Sequence, residues 1–235
     1  MKPRLLDLFC CGGGAAKGYQ RAGFHVIGVD IQPQPNYCGD EFIQADALEY
    51  LDAMFPTSCA LRELDAIHAS PPCQAYTHAK HIANRGRDDH PRLIEPVREF
   101  LRRSGLPYVI ENVVGAPLES PYLICGTSLG LNVKRHRLFE TNVALMVPPC
   151  ACGQYRPKRF ASTPRIDGSR PLSAYVNPLA SETTHEEFAD AMGIDWVPKR
   201  GKRPARDLHE AIPPAYTELI GGYLKDAATR TKAAA

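Results

Sequence analysis

The chain has 235 residues, of which 44% are hydrophobic and 23% are charged, and its net charge is only +2. This composition excludes a mainly disordered protein, a collagen and a coiled coil, and the length allows one large domain or one domain with an appendage. The charge is divided unevenly, because residues 1–133 carry 12 basic and 15 acidic side chains whereas residues 134–235 carry 16 and 11. This division favours a polyanionic partner contacted mainly by the second part, with chance clustering as the alternative.

The predicted secondary structure begins as an alternation of strands and helices. In chain order we expect a strand over 5–9, a helix over 15–22, strands over 25–29 and 64–69, a helix over 93–103 and a strand over 108–110. Such an alternation is typical of an α/β fold, in which a parallel sheet is covered by helices on both faces. Regularity ends near residue 141 and returns as helices over 184–192 and 215–224, followed by a tail over 227–235 that we expect to be frayed.

The N-terminus and the cysteines bear on the cellular compartment. The basic N-terminus resembles the start of a signal peptide, but Asp7 interrupts its apolar stretch and glycines follow at once. The chain contains no run of the roughly 20 apolar residues that span a bilayer. Its eight cysteines are irregularly spaced, which does not indicate a disulfide scaffold in a chain of this length. We therefore expect a cytoplasmic protein with reduced thiols and no membrane partner.

Cys150 and Cys152 raise the question of a zinc site, completed by Cys125 or His185. Two ligands one residue apart are fewer than a structural zinc site requires, and no second close pair follows them. We therefore predict no bound metal and interpret the two thiols as reduced surface groups.

A glycine-rich turn after the first strand indicates an adenosine-containing cofactor. The glycines of the segment 7–14, DLFCCGGG, let the backbone approach a ligand beside the N-terminus of a helix. Asp30 closes the second strand, where its carboxylate can accept hydrogen bonds from ribose hydroxyls. Asp46 either meets an adenine amino group or caps a helix. The turn alone does not identify the cofactor, because an oxidoreductase that uses a nicotinamide would show much the same pattern.

Three further motifs follow predicted strands and carry reactive side chains. Cys73 stands in Ser-Pro-Pro-Cys-Gln, where two prolines hold a thiol at a fixed orientation, as a nucleophile needs, whereas a lone cysteine is ordinarily structural. Glu111 ends the next strand and is suited to donate a proton to a ring nitrogen. Arg135 and Arg137 alternate along a strand and can bind a carbonyl oxygen or hold that carboxylate, with a solvated edge strand as the alternative.

Together and in this order, these motifs resemble those of the cytosine-5 DNA methyltransferase family. The segments 9–14, 71–74, 111–113 and 135–137 are similar to its cofactor loop, nucleophile loop, acid motif and paired arginines. Residues 184–194 and 211–214 resemble two later blocks. The chain departs from the usual family pattern at Ile31, Ala69-Ser70, Val133 and His209-Glu210.

The resemblance implies a Rossmann-like methyltransferase sheet that binds S-adenosylmethionine and methylates carbon 5 of a cytosine flipped out of double-stranded DNA. In this mechanism Cys73 adds to carbon 6 of the base and Glu111 assists at ring nitrogen 3. Arg137 would hold the oxygen on carbon 2, and Arg135 would support Glu111.

The resemblance also assigns binding residues. The cofactor would contact Phe9, Cys10, Gly12, Gly14, Asp30, Ile31, Asp46, Pro72 and Ala211. DNA would contact Gln74, Tyr76, Thr77, Lys80, Arg85, Arg87, Arg156, Lys158 and Arg159. The basic members of this second set are suited to phosphates more than to base edges.

The resemblance divides the chain into a catalytic and cofactor-binding core over 1–140, a small irregular target-recognition region over 141–182 and helices over 183–235 that return to the core. A region of 42 residues is short for a module that reads several base pairs in the major groove. We therefore predict a short or relaxed sequence preference, and we expect a monomer.

Two alternatives come from other functional classes. An oxidoreductase with Cys73 as a redox or acyl-binding thiol would leave Glu111 and the paired arginines unexplained. A catalytically silent nucleic-acid-binding relative would not need Cys73, Glu111 and Arg137 together. Within the methyltransferase class, RNA or a nucleotide could replace duplex DNA as the substrate.

Overall fold

The computed structural model of the chain describes residues 2–54, 61–76, 91–157, 173–176, 183–199, 204 and 206–234. The strands of its main sheet are β1 (Arg4–Leu8), β2 (His25–Asp30), β3 (Glu41–Gln44), β4 (Ala66–Ala69), β5 (Tyr108–Asn112), β6 (Tyr122–Cys125) and β7 (His136–Thr141). The helices are α1 (Gly14–Arg21), α2 (Ala47–Met54), α3 (Ile94–Ser104), α4 (His185–Met192), α5 (Arg206–Glu210) and α6 (Pro214–Ala234). Two short strands, β8 (Tyr155–Pro157) and β9 (Ser173–Tyr175), pair in parallel outside the main sheet.

The strand order of the main sheet is β3-β2-β1-β4-β5-β7-β6. The first five strands of this order pair in parallel, as the sequence predicts. The expectation of a parallel sheet is wrong for β7, which runs antiparallel to both β5 and β6. The chain order reverses between β1 and β4, and such a switch point opens a crevice at the carboxyl ends of parallel strands.

Strand β1 shows how the helices cover both faces of the sheet. Its side chains alternate, so that Leu5 belongs to one apolar cluster whereas Leu6 and Leu8 belong to the other. The first cluster includes residues of α1 and α6, and the second includes residues of α2 and α3. Asp7 lies between Leu6 and Leu8 and is completely buried. The predicted α/β architecture with helices on both faces is therefore confirmed.

Helices α1 and α6 pack closely because of a glycine in the first of them. A Cβ atom added to Gly18 would overlap the Pro214 carbonyl oxygen and the Thr217 hydroxyl oxygen. Thr217 is fully buried, and its hydroxyl donates to the Ala15 carbonyl at 2.8 Å. A small residue in α1 thus allows a side chain of α6 to bond directly to the backbone of α1.

The expectation of a frayed tail over 227–235 is wrong for the described residues. Helix α6 continues to Ala234, because Ala228 is buried and the Lys232 ammonium pairs with Asp65 at 2.6 Å. Burial and a charge partner therefore stabilise a segment whose composition alone is small and polar. Within the part of the chain that the structure describes, no helix is both long and apolar enough to cross a membrane.

The predicted helix over 184–192 is confirmed as α4. Thr184 caps it by accepting from the Glu187 amide at 3.2 Å, while the Glu187 carboxylate accepts from the Thr184 amide at 3.3 Å. Phe188 and Met192 on this helix are fully buried in a third apolar cluster that includes Leu208 of α5. This cluster holds the last part of the chain beside the crevice.

Candidate active site

The crevice at the switch point contains a cavity of about 480 Å³. Of the cofactor residues predicted from the sequence, those that line it are Phe9, Cys10, Gly14, Asp30, Ile31, Pro72 and Ala211. Of the predicted reacting residues, Cys73, Glu111 and Arg137 line it. Motifs separated by up to about two hundred residues in sequence thus meet at one edge of the sheet, as strand ends in a parallel sheet do.

The glycine-rich turn after β1 has a strained backbone. Phe9 and Cys11 have positive φ angles of 59° and 44°, in the left-handed region that side chains other than glycine rarely adopt. Gly13, with a φ of 86°, is also left-handed and precedes α1. Strain of this kind concentrates at ligand-binding sites, where the surrounding structure holds the backbone in place.

The carboxylate of Asp30 is held in place at the end of β2. Its two oxygens accept hydrogen bonds from the backbone amides of Cys11, at 3.0 Å, and Gln32, at 2.9 Å. The side chain is buried, yet it borders the cavity. Its orientation is therefore fixed before a ligand arrives, as the predicted ribose contact requires.

Asp46 takes the helix-capping role that the sequence left open. Its Oδ1 accepts from the backbone amides of Leu48, at 2.8 Å, and Glu49, at 3.1 Å, at the start of α2. Asp46 is not among the described residues that border the cavity. A contact with adenine stays a prediction, and the geometry does not require it.

The nucleophile loop is fastened to the neighbouring strands by backbone contacts. The Ser70 amide donates to the Leu8 carbonyl at 3.1 Å, and the Asn112 side chain donates to the Pro71 carbonyl at 2.9 Å. Cys73 is half-buried at this loop. Burial raises the pKa of its thiol, the positive charge of Arg137 lowers it and the negative charge of Glu111 raises it, with a net upward shift.

Glu111 pairs with Arg137. The Arg137 Nε atom lies 2.9 Å from Glu111 Oε1, although the N–H bond is not aligned for a hydrogen bond, so the contact is an ion pair. Burial raises the pKa of Glu111 above its ordinary value, against the lowering effects of Arg137, the Ser70 hydroxyl and Arg135. A raised pKa favours the protonated form, which is the form a proton donor needs.

The role of Arg135 as the support of Glu111 stays a prediction, because its charge lowers the pKa of Glu111 whereas its guanidinium hydrogen-bonds elsewhere. Arg135 is buried, and its guanidinium donates to the His209 carbonyl oxygen at 2.5 Å. The strand register explains why Arg137 is the arginine in direct contact with Glu111. Glu111 lies opposite Phe139, and Arg137 is the diagonal neighbour two residues earlier on the same face. Arg135 precedes β7, and its own carbonyl accepts from the Tyr216 hydroxyl at 2.5 Å.

A chain of buried polar groups that was not predicted from the sequence lies behind Glu111. The Tyr19 hydroxyl lies 2.9 Å from His68 Nδ1, and His68 Nε2 lies 2.9 Å from the Ser70 hydroxyl oxygen, which in turn bonds to Glu111. Burial lowers the pKa of His68 to about 3, so its ring is neutral. The only sequence signal was that Ala69-Ser70 departs from the resembled family.

Asp7 is a second residue whose importance the sequence did not show. It borders the cavity, and neither of its carboxylate oxygens has a hydrogen-bond partner among the described residues. Burial raises the pKa of Asp7 well above its ordinary value, and the charges of Asp30 and Glu111 raise it further. An unpaired buried carboxyl is costly, and it favours a positively charged ligand nearby.

Trp196 and Gly12 meet behind the turn. The indole nitrogen of Trp196 donates to the Gly12 carbonyl at 2.8 Å, so this tryptophan supports the cofactor turn from the third apolar cluster. Gly12 therefore contributes to the position of the turn, and it is not among the described residues that border the cavity.

The predicted DNA contacts are only partly within the described residues. Gln74 is exposed and borders the cavity, and Tyr76 is half-buried beside it in sequence. Arg156 lies in β8. The other residues of this prediction lie outside the described residues, and they are Thr77, Lys80, Arg85, Arg87, Lys158 and Arg159.

Comparison with curated proteins relates the chain to methyltransferases. No protein-family model matches it. It is 30% identical over 125 residues to the Type II methyltransferase M1.HphI of Haemophilus parahaemolyticus, a match that covers 48% of this chain and 33% of that relative. It is 30% identical over 100 residues to the ribosomal RNA large subunit methyltransferase E of Wolbachia pipientis wMel, covering 35% of this chain and 52% of that protein. The matches thus span about a third and about half of these relatives.

Two solved structures are similar over nearly the whole chain. One, from an E. coli prophage and described as a DNA modification methyltransferase, has a TM-score of 0.62 at 15% identity and covers 97% of this chain and 99% of its own. The S. pombe Dnmt2 methyltransferase has a TM-score of 0.57 at 14% identity, and the match covers 96% of this chain and 99% of that one. This chain has a methyltransferase fold. The Rossmann-like methyltransferase sheet implied by the motif resemblance is therefore confirmed.

Proposed function

We propose that this chain transfers a methyl group from S-adenosylmethionine to carbon 5 of a cytosine in DNA, through a covalent adduct of Cys73. The observation that carries the proposal is that Cys73, Glu111 and Arg137 border one cavity together with the glycine-rich turn. Addition to a pyrimidine ring needs a nucleophile, a proton donor and a cation at one place. The oxidoreductase alternative gives the pair of Glu111 and Arg137 no task.

The cavity has the size and the chemical groups that the cofactor needs. Its volume of about 480 Å³ lies within the usual range of small-molecule sites. The fixed carboxylate of Asp30 is suited to ribose hydroxyls, and the unpaired carboxyl of Asp7 is suited to a cationic group. When bound, S-adenosylmethionine supplies a methyl group activated by a positively charged sulfur.

The protein's own residues activate the base. The Cys73 thiolate forms a bond to carbon 6 of the cytosine, while Glu111 gives a proton to ring nitrogen 3. The addition places an electron pair at carbon 5, which forms the bond to the methyl group as the sulfur–methyl bond of the cofactor breaks and S-adenosylhomocysteine leaves. Loss of the proton from carbon 5 to solvent then restores the double bond between carbons 5 and 6 and breaks the bond between the Cys73 sulfur and carbon 6. The proton on ring nitrogen 3 returns to Glu111.

Arg137 serves both reacting groups. Its charge lowers the pKa of Cys73 and of Glu111. It therefore favours the thiolate, and it limits how far burial raises the pKa of Glu111. Its guanidinium also offers donors for the carbonyl oxygen on carbon 2 of the base. A single arginine thus makes the thiolate of Cys73 easier to form without fully suppressing the proton donor.

The base reaches these groups only when it leaves the duplex stack, because carbon 6 is inaccessible inside the helix. In this proposal Gln74 and the basic residues of the segment 77–90 contact the DNA strand around the flipped base. The basic side chains of the recognition region contact phosphates, so the affinity for DNA should fall as the salt concentration rises.

The test is methyl transfer with labelled S-adenosylmethionine to unmodified duplex DNA, single-stranded DNA and RNA in parallel. The product bases are then separated by mass spectrometry. We expect label in 5-methylcytosine from duplex DNA, and none with Cys73→Ser. Label in N4-methylcytosine or N6-methyladenine would overturn the cytosine-5 chemistry, and label in RNA alone would replace DNA as the substrate.

A trapping experiment isolates the covalent step. Duplex DNA that contains 5-fluorocytosine cannot lose a proton from carbon 5, so the adduct with Cys73 should accumulate and survive denaturation. The Cys73→Ser protein provides the matched control and should form no adduct. An adduct that maps to another cysteine would contradict the assignment of Cys73 as the nucleophile.

A further inference from the structure

A second cluster of reactive side chains lies outside the cavity, at the edge of the sheet formed by β6 and β7. Cys125 ends β6 and His136 begins β7, and these two residues lie directly opposite each other in the antiparallel register. Cys150 and Cys152 come from the segment that follows β7. The three sulfur atoms and a ring nitrogen of His136 all lie within 4.8 Å of one another.

The distances within this cluster are close to those of a metal site. His136 Nε2 lies 3.3 Å from the Cys150 sulfur and 3.5 Å from the Cys152 sulfur, and the two sulfurs are 3.2 Å apart. In a tetrahedral zinc site, neighbouring sulfur and nitrogen ligands are about 3.5 to 3.8 Å apart. The sulfur–sulfur distance excludes a disulfide, whose bond is about 2.05 Å.

We propose that Cys125, His136, Cys150 and Cys152 bind one structural zinc ion. Three thiolates and one imidazole form a known ligand set for structural zinc, and thiolates disfavour hard cations such as magnesium. Four protein ligands leave no open position, so the ion does not take part in catalysis. Of the further ligands that the sequence offered, Cys125 lies in the cluster, and the pairing of β6 with β7 adds His136, which the sequence did not indicate.

The position of the cluster defines what the zinc stabilises. His136 and Arg137 are adjacent in β7, and adjacent side chains of a strand point to opposite faces, so the metal lies on the face away from the catalytic arginine. Cys150 and Cys152 immediately precede β8, which pairs with β9. The ion therefore fastens the start of the predicted recognition region to the edge of the sheet that carries Arg137.

The alternative ligand that the sequence suggested lies elsewhere. His185 is buried at the start of α4, and its Nε2 atom lies 3.1 Å from the Val197 carbonyl. Cys125, in contrast, is fully buried beneath the cluster, while Cys150 is exposed. The site is thus closed on its inner side and reachable from solvent on its outer side.

The test measures metal in the full-length protein, purified without a metal-chelating tag. We expect about one zinc per chain by elemental analysis, and less than a fifth of that in the double variant Cys150→Ser, Cys152→Ser. Cys73→Ser removes a thiol outside the cluster and should keep the full zinc content. Equal zinc in the double variant and the parent, or no zinc in the parent, would overturn the proposal.

Cobalt substitution of the parent protein tests the ligands without relying on a variant that folds. After the zinc is removed by a chelator, Co²⁺ should give the intense visible bands of a tetrahedral site and the near-ultraviolet bands of thiolate ligands. Adding zinc should abolish both. Weak octahedral bands, or a Cys150–Cys152 disulfide in the freshly purified protein, would contradict the assignment.

Discussion

Arg137 lies 2.9 Å from Glu111, measured from Nε to Oε1, because the antiparallel register of β5 and β7 makes the two residues diagonal neighbours on one face. Residues at such positions are within reach when one side chain is long. The pairing places a cation beside a buried acid and near the half-buried thiol of Cys73. The antiparallel insertion of β7 into an otherwise parallel sheet is therefore what completes the proposed catalytic site.

Replacement of Arg137 by Gln should lower methyl transfer by about 100-fold or more, since general acid–base catalysis contributes about 10² to 10⁴. Arg137 lowers the pKa of both Cys73 and Glu111, so its removal raises both. The rate rises with pH as Cys73 ionises and falls as Glu111 deprotonates, so both limbs of the pH profile should move to higher pH. Steady-state rates across pH measure this, and an unmoved profile would contradict the shared role.

Replacement of Ser70 by Ala should reduce methyl transfer several-fold and move the alkaline limb to higher pH. The Ser70 hydroxyl lowers the pKa of Glu111, and a neutral hydrogen bond contributes about 0.5 to 1.5 kcal/mol. Ser104→Ala is a matched control, because that hydroxyl bonds to the Leu101 carbonyl at the end of α3. A Ser70→Ala profile identical to that of the control would show that the buried polar chain does not tune Glu111.

Replacement of Asp7 by Asn should change the pH dependence of stability. The pKa of Asp7 is raised in the folded state, so the folded protein binds a proton that the unfolded chain releases. The free energy of unfolding therefore falls as pH rises above the unfolded pKa of about 3.9. In Asp7→Asn the contribution of this group to the decrease in the free energy of unfolding should disappear. Urea unfolding of both proteins between pH 4 and 8 measures the difference.

The same Asp7→Asn variant tests the proposed cationic ligand. If Asp7 faces a positive group of S-adenosylmethionine, the cofactor should stabilise the variant less than the parent. The shift in melting temperature on adding the cofactor reports this difference. An equal shift in the two proteins would remove Asp7 from the cofactor site.

Replacement of Gly18 by Ala should lower the free energy of unfolding by about 1 to 3 kcal/mol, since the new methyl group overlaps Pro214 and Thr217 across the α1–α6 interface. Gly222→Ala, in α6 itself, is the matched control, because no atom in the described part of the chain lies within 4 Å of its added Cβ. This control should raise stability by up to about 1 kcal/mol through helix propensity. Denaturant midpoints of the two variants should therefore move in opposite directions.

The short recognition region predicts a short or relaxed sequence preference in DNA. Methylated positions in a random duplex library, mapped at single-base resolution, should share a motif of at most about four base pairs, since a small module reaches few base edges in the major groove. A strict six-base-pair site would show that the region reads more bases than its length suggests.

The local features of this protein follow from residue type and order along the chain. Hydrophobic runs bounded by glycine, proline and aspartate placed β1, β2, β4 and β5 within two residues of their observed ends. The glycine-rich turn, the Cys73 loop and Glu111 followed from residue types whose backbone or chemistry restricts their use. Such features depend on neighbours in the chain, and the periodicity of a single segment therefore reveals them.

The pairing of distant segments, in contrast, depends on the folded sheet as a whole. The antiparallel placement of β7 put the Arg137 guanidinium beside the Glu111 carboxylate, and the same strand brought His136 opposite Cys125. Burial of Ala228 and the ion pair of Lys232 with Asp65 extended α6 through a tail that its composition marks as frayed. Strand register and helix packing depend on the whole sheet. Sequence motifs therefore identify the reactive groups, whereas the fold determines which of these groups lie close enough to act together.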